Sequence, residues 1–349
     1  MLLFDSFLLK GNLIKNRVVM PPMVTYSLVR EDGFLDEKHI SYYEKRAKKE
    51  IGTIIVEASG IDERQKAWNQ IGIWDDKFIP GLSKLAKAIN DNGAFSVIQI
   101  HNAGLKAKMS PCPYGPSKLD ENTKEMTRED IQNSVKDYTN AAIRAKKAGF
   151  KGVEIHGAHG YLLCEFTLEK YNKRTDEYGF KKVEDRYRFP IQVVKSVREA
   201  LGEDFPIYYR LGVNMEDIEE VKEGAKMLID AGVDVLDISS AFDASTSLED
   251  KENEFNEVVR SAKIIKECVD VPVIAVNRIS TKERAEKLLV NGYCDFTAIG
   301  RELLSDYQWA YKAKNDIPIN YCYHCKPKCR LNGGDNKCPN LIKSGDSLY

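Results

Sequence analysis

Residues 127–156, TREDIQNSVKDYTNAAIRAKKAGFKGVEIH, hold one complete period of the pattern that decides the fold. Thr127 is an N-cap candidate, Glu129 and Asp130 put negative charge in the first helical turn, Lys146 and Lys147 put positive charge near the end, and Gly149 supplies the stop. A short apolar run, 152–156, follows at once. The same stop and run recur at Gly93, Gly232 and Gly292. In all there are eight such runs, at 17–20, 52–57, 95–100, 152–156, 207–211, 235–239, 272–276 and 296–299. They are nearly continuous rather than alternating, which suits parallel strands covered on both faces. The order predicts an α/β chain folded as a (β/α)8 TIM barrel. A doubly wound sheet shares the rhythm but places a glycine-rich phosphate turn after its first strand, where this chain has MPPMVTYS at 20–27. Reactive groups of a barrel sit at the carboxyl ends of its strands, so the residues there are the ones to read for chemistry. After Leu304 the periodicity ends. The expectation is therefore a barrel over 1–318 and a Cys-rich tail over 319–349, with too little apolar material to order itself without a bound metal or cluster and docking on the barrel.

Composition narrows the partners. The 52 Lys and Arg nearly cancel the 53 Asp and Glu, so no surface of one sign suited to nucleic acid or an anionic membrane is implied. A hydrophobic content of 43% over 349 residues is enough for a large core. The amino terminus, MLLFDSFLLKGNLIKNR, is interrupted by Asp5 and Lys10 and lacks a basic lead-in and a small-residue cleavage site, so it does not read as a secretory signal. No run reaches the ~18 to 20 apolar residues of a membrane span, and the expected setting is cytoplasmic. Of the eight cysteines, Cys112, Cys164, Cys268 and Cys294 are scattered and read as small buried hydrophobes, while Cys322, Cys325, Cys329 and Cys338 crowd together.

The fourth run leads into IHGAHGYL, with His156, His159 and Tyr161 at the mouth of the expected barrel. Two imidazoles and a phenol suit hydrogen bonding to a carbonyl oxygen and delivery of a proton. Satisfied structural residues, or a metal, are the other readings of HxxH. In order along the chain, NRVVMPPMVTYS, EASGID, GIWDD, IQIHNAG, IHGAHGYL, KRTDEYG with RYRFP, and IGRELL resemble the Old Yellow Enzyme family over about residues 1–315. That resemblance implies an FMN-binding barrel. It implies that Pro21, Pro22, Met23 and Ala58 line the isoalloxazine ring, that Gln99 bonds its pyrimidine edge, and that Arg210 lies near N1, where a cation stabilises the anionic reduced ring. Asn277, Arg278, Gly300 and Arg301 follow the last two strands, where barrels build phosphate sites, and Arg301 would add a charge-assisted contact. Read without the resemblance, Arg210 is a surface ion pair and IGREL a strand running into a helix. His156 and His159 would hold the substrate's electron-withdrawing oxygen, Tyr161 would protonate the α carbon, and Tyr26 would shape the pocket.

The chain departs from the family in places. Val24 stands where many relatives have a Cys or Thr that contacts the flavin, so either Thr25 substitutes or that hydrogen bond is missing. Leu105 stands where arginine is common, and Phe180 replaces the second glycine of YGG. The four clustered cysteines form C-x2-C-x3-C-x8-C, followed by Pro339. By spacing alone they suit a [4Fe–4S] cluster or a tetrahedral Zn, with His324 a competing ligand. The resemblance to the iron–sulfur branch, which includes dienoyl-CoA reductase and 2-enoate reductase, favours the cluster, although the last spacing is shorter here. Those relatives continue into FAD or ADP and nicotinamide domains, whereas this sequence has no GxGxxG. Electrons are then expected from NAD(P)H docking on the FMN, or from a ferredoxin, flavodoxin or separate reductase through the cluster. The reading is an FMN-dependent ene-reductase acting on a small unsaturated substrate, with a homo-oligomer as one option for its assembly. The alternatives are a flavin dehydrogenase of an amine or reduced ring, and a non-catalytic FMN and Fe–S electron-transfer subunit. The acidic loop 241–255 is expected to border the pocket.

Overall fold

The structure, a computed structural model, describes the chain except for residues 26–27, 243–253, 326–328, 330 and 332–337. Eight barrel strands follow one another as β1 (Val18–Met20), β2 (Thr53–Gly60), β3 (Phe95–His101), β4 (Gly152–Gly157), β5 (Ile207–Val213), β6 (Val235–Ser240), β7 (Val273–Val276) and β8 (Phe296–Ala298). Each pairs in parallel with its neighbour in sequence, and Thr297 of β8 pairs with Val18 of β1 to close the ring. The predicted (β/α)8 barrel is therefore the observed fold. Its third long helix, Arg128–Lys147, begins at the expected cap: the Thr127 side chain accepts from the Asp130 N–H and the Asp130 carboxylate accepts in return from the Thr127 backbone.

Strand ends differ from expectation where pairing across the sheet extends them. Ser59 and Gly60 of β2 pair with Ile100 and His101 beyond a register shift, and Gly212 and Val213 of β5 pair with Ser239 and Ser240. Arg210, expected at the end of its strand, consequently lies within β5. The periodicity does not stop for good at Leu304: a short helix, Trp309–Lys314, follows, and its fully buried Trp309 donates Nε1–H to the Ser280 carbonyl at 2.8 Å.

The bore of the barrel has two storeys. Toward the amino ends of the strands, Ile55, Val97, Tyr208, Val235, Ile274 and Phe296 form one apolar cluster, floored by Leu9 and Ile14 of an antiparallel ribbon (Phe7–Leu9 with Asn12–Ile14). Positions two apart on a strand share a face. Moving up by two therefore replaces Val97 with Gln99, Tyr208 with Arg210 and Val235 with Asp237, all buried. The upper storey is polar and opens at the carboxyl ends. The outer core, between strands and helices, is mostly apolar, and truncating one of its fully buried leucines to Ala costs about 2–5 kcal/mol.

The tail is tied to the barrel by specific bonds. Cys322 donates its N–H to Glu302 at 2.7 Å, the Asn340 amide donates to the Ser305 hydroxyl at 2.5 Å and to the Tyr321 carbonyl at 2.6 Å, and Leu341 and Leu348 are buried. Among the described residues no helix is long and apolar enough to cross a membrane.

Candidate active site

His156 is the penultimate residue of β4 and points into the polar storey. Its Nδ1 accepts the Ala158 backbone N–H at 3.2 Å, so the neutral ring carries its hydrogen on Nε2. His159 sits in the turn that follows, in a left-handed conformation (φ 61°). Its backbone N–H donates to the Ser240 carbonyl at 3.0 Å, its Nε2 lies 2.7 Å from the Ser239 hydroxyl, and its carbonyl accepts from Lys106 Nζ at 2.5 Å. Held in this way, a β-carbon in the αL region is tolerated where isolated it would cost about 1–3 kcal/mol. Both imidazoles are buried, and burial pushes their pKa values well below the ordinary 6.5, with Arg210 and Lys106 acting in the same direction. They are neutral donors, not cations.

Tyr161 caps the short helix Leu162–Phe166. Its ring centroid is 5.3 Å from that of His156 and 6.4 Å from that of His159, so the sequence-predicted trio is brought together. Three further groups join it that were not predicted as site residues: His101, 4.5 Å from the Tyr161 ring, Trp68 at 6.0 Å, and the Lys106 ammonium 5.2 Å over the ring. Tyr26 lies outside the described residues, as does most of 241–255.

The second half of the site is the upper storey itself. Gln99 donates Nε2–H to Glu154 Oε1 at 2.7 Å, which fixes the amide on one side. Arg210 is 6% exposed, which rules out a surface ion pair, and its Nε is 3.6 Å from Asp237 and reaches no acceptor within hydrogen-bond distance. Burial and the neighbouring Asp237 carboxylate push Glu154 well above the usual carboxylate range, and burial pushes Asp237 up too. At the rim, a Cβ placed on Gly300 would touch Met23 Sδ at 3.5 Å and Pro21 Cγ at 3.7 Å, which brings those three residues to one wall. Ala58 is buried, and Pro22 is half-buried beside Pro21. Val276 pairs with Ala298, so Asn277 and Arg278 stand next to the Gly300 and Arg301 turn, and both have left-handed φ values (100° and 54°). A buried guanidinium with an unfilled nitrogen, a fixed amide and an apolar wall form a donor set that fits a flat, polar-edged ring with an anionic reduced form, as FMN is.

Thr25 does not substitute for the missing contact at Val24. Its hydroxyl donates to Glu57 Oε1 at 2.6 Å, its backbone N–H donates to Glu57 Oε2 at 2.9 Å, and His39 Nε2 reaches the same carboxylate at 2.7 Å, all buried. The Thr25 side chain is spent on anchoring the Pro21–Met23 wall.

A model of the NADH:flavin oxidoreductase / NADH oxidase family matches residues 2–320. The chain belongs to that family. That family is one of flavin oxidoreductases, and the barrel is the one seen in an Old Yellow Enzyme homologue, as the sequence motifs implied. It is 39% identical over 340 residues to an NADH oxidase of Thermoanaerobacter brockii, covering 91% of this chain and 52% of that one. It is 37% identical to an NADPH dehydrogenase of Bacillus licheniformis, covering 91% and 97%. In structure it is similar to a 2-naphthoyl-CoA reductase complexed with 2-naphthoyl-CoA, with TM-score 0.86, 27% identity, and coverage of 94% of this chain and 54% of that one. The chain thus spans about half the length of the NADH oxidase and of the naphthoyl-CoA reductase.

Cys322, Cys325, Cys329 and Cys338 are all unbridged and line one pocket, together with Arg301 and His324. Among the described residues no three His, Cys, Asp or Glu side chains form a group able to hold one metal ion, either here or at the HxxH segment. What sequence reasoning missed, His101, Ser239, Glu154 and Asp237, shares a signal: polar residues at the inward parity of strands that are otherwise apolar.

Proposed function

We propose that this member of the family is an ene-reductase acting on a carbon–carbon double bond conjugated to a carbonyl or similar electron-withdrawing oxygen. Bound in the upper storey, FMN supplies the hydride, and a [4Fe–4S] cluster on the tail, 319–349, supplies it with single electrons. The observation that carries the reading is the pair of buried, neutral histidines beside one tyrosine. His156 is left with its Nε2–H to donate. Such a donor bonds a carbonyl oxygen more strongly as negative charge develops on it, without itself gaining or losing a proton. His159, held by Ser239, supports the same oxygen from the neighbouring turn, and Tyr161 gives its proton to the α carbon.

Pro21, Pro22, Met23 and Ala58 form the wall for the ring, Gln99 and Arg210 hold its pyrimidine edge, and Asn277, Arg278, Gly300 and Arg301 hold the phosphate. For the tail, a single zinc ion would draw four sulfurs to about 2.3 Å from one atom. A cluster instead seats each thiolate on its own iron, which suits four cysteines spread round one cavity. The relatives' names favour a nicotinamide nucleotide as the donor tested first, with a ferredoxin, flavodoxin or reductase through the cluster as the other route.

Two measurements test this. Protein purified without oxygen should show flavin absorption with about four iron and four sulfide per chain; flavin with zinc and no sulfide would sink the relay. Tyr161→Phe should slow reoxidation of the reduced enzyme by 2-cyclohexenone by about 10²–10⁴ at unchanged FMN content. Unaltered turnover with every enone tried would sink the proton-donor role.

A further inference from the structure

His101 is the last residue of β3 and is fully buried. The Gln70 side-chain nitrogen lies 3.0 Å from the Ala58 carbonyl oxygen and 3.0 Å from His101 Nδ1. A carbonyl only accepts, so that Gln70 atom is the NH2 group, and its second hydrogen goes to His101 Nδ1. Burial holds the His101 ring neutral, its pKa pushed down to about 3. With Nδ1 accepting, its one hydrogen is on Nε2, and Nε2 is buried with no hydrogen-bond partner among the described residues. Of the other two rings, His156 is held in the same way, through Nδ1 by the Ala158 N–H, whereas His159 is held through Nε2 by Ser239.

A buried N–H with no acceptor costs free energy in the resting state. Its ring stands edge-on to Tyr161 with centroids 4.5 Å apart, nearer than either His156 or His159. We propose that His101 is a positioning residue for proton delivery: Gln70 locks it as an Nε2–H donor, and that donor receives the Tyr161 oxygen as it becomes a phenolate. The inference rests on Tyr161 being the proton donor. The bond between Tyr161 oxygen and hydrogen breaks as the α carbon takes the proton, leaving the electron pair on the oxygen. A neutral N–H bonds that anion more strongly than it bonds a phenol.

The charged and titratable groups facing Tyr161 leave this role open. Lys106 is over the ring face and donates to the His159 carbonyl, His156 and His159 are neutral, and Glu165, one turn further along the helix, is buried with its carboxyl pushed well above the usual range. No ionised acid in this set opposes the phenolate.

The test is stopped-flow reoxidation of the reduced holoenzyme by 2-cyclohexenone across pH, in wild type, His101→Phe, Tyr161→Phe and the double variant. His101→Phe should lower the plateau rate by about tenfold and move the alkaline limb upward by about one pH unit, because Tyr161 becomes a weaker acid. In the Tyr161→Phe background the same change should do nothing further. Gln70→Leu, which leaves the ring in place but releases Nδ1, should act in the same direction with intact FMN binding. A loss that is equal in both backgrounds, with no movement of the limb, would overturn the proposal and assign His101 to substrate or to packing. If instead Tyr161→Phe alone were silent, the failure would belong to the ene-reductase reading.

Discussion

Replacing Thr25 by Val tests whether the wall beside the flavin is held from behind. Val has nearly the shape of Thr, so no cavity opens; what is removed is the hydroxyl that donates at 2.6 Å to the fully buried Glu57. A hydrogen bond to a carboxylate contributes about 1.5–3 kcal/mol, and Glu57 keeps three other partners, the Thr25 N–H, His39 and the Tyr43 hydroxyl, so a loss of about 2 kcal/mol is expected. Because 1.4 kcal/mol is a factor of ten, the FMN dissociation constant should rise by roughly 30-fold if the loss falls on the Pro21–Met23 wall. Fluorescence titration of the apoprotein with FMN, paired with urea unfolding of the holoenzyme, separates a loosened wall from general destabilisation. Thr25→Ser retains the hydroxyl and should stay within about 1 kcal/mol of wild type. The reasoning is refuted if Thr25→Val binds FMN and unfolds as wild type does, or if Thr25→Ser is as damaged as Thr25→Val.

Arg210→Met should lower the flavin midpoint potential, on the order of 30 mV for each 1.4 kcal/mol of lost stabilisation of the anionic reduced ring; a potential that does not move would place Arg210 away from N1. Cys325→Ser should abolish iron and sulfide while FMN content stays near wild type, and concurrent loss of FMN would mean that the tail holds the barrel together. Below pH 6.5 the unfolded chain binds protons that His101, His156 and His159 refuse in the fold, so stability should fall as pH drops through that range. Each histidine adds up to about 1.4 kcal/mol per pH unit. His156→Gln should reduce the slope of urea midpoint against pH by one proton's worth, and an unchanged slope would contradict its neutral state.

The barrel was legible because eight apolar runs recur in order and four of them follow directly on a glycine stop, as in 127–156, and parallel strands need little else. His156, His159 and Tyr161 were legible because they are adjacent in sequence. Glu154 and Asp237 were not: their meaning depends on Gln99 and Arg210, which stand beside them in register on the adjacent strands, and local composition does not report cross-strand register. Thr25 was open for the same reason, since it lies in the loop after β1 and its partner Glu57 is on β2. The extension of β2 and β5 past their apolar runs likewise reflects neighbours, not residues. The polar residues that interrupt the apolar runs, Gln99, Glu154, Arg210 and Asp237, share the inward parity and mark the polar set.

The division of the bore into storeys separates what the molecule can change from what it cannot. Folding information is concentrated at the amino ends of the strands, in side chains such as Ile55 and Tyr208 that never meet a substrate. The residues proposed to meet cofactor and substrate begin two residues further along, at Gln99 and Arg210. A mutation below therefore reads out as yield and one above as selectivity, so a library confined to the upper positions can vary substrate range while the floor keeps the scaffold intact.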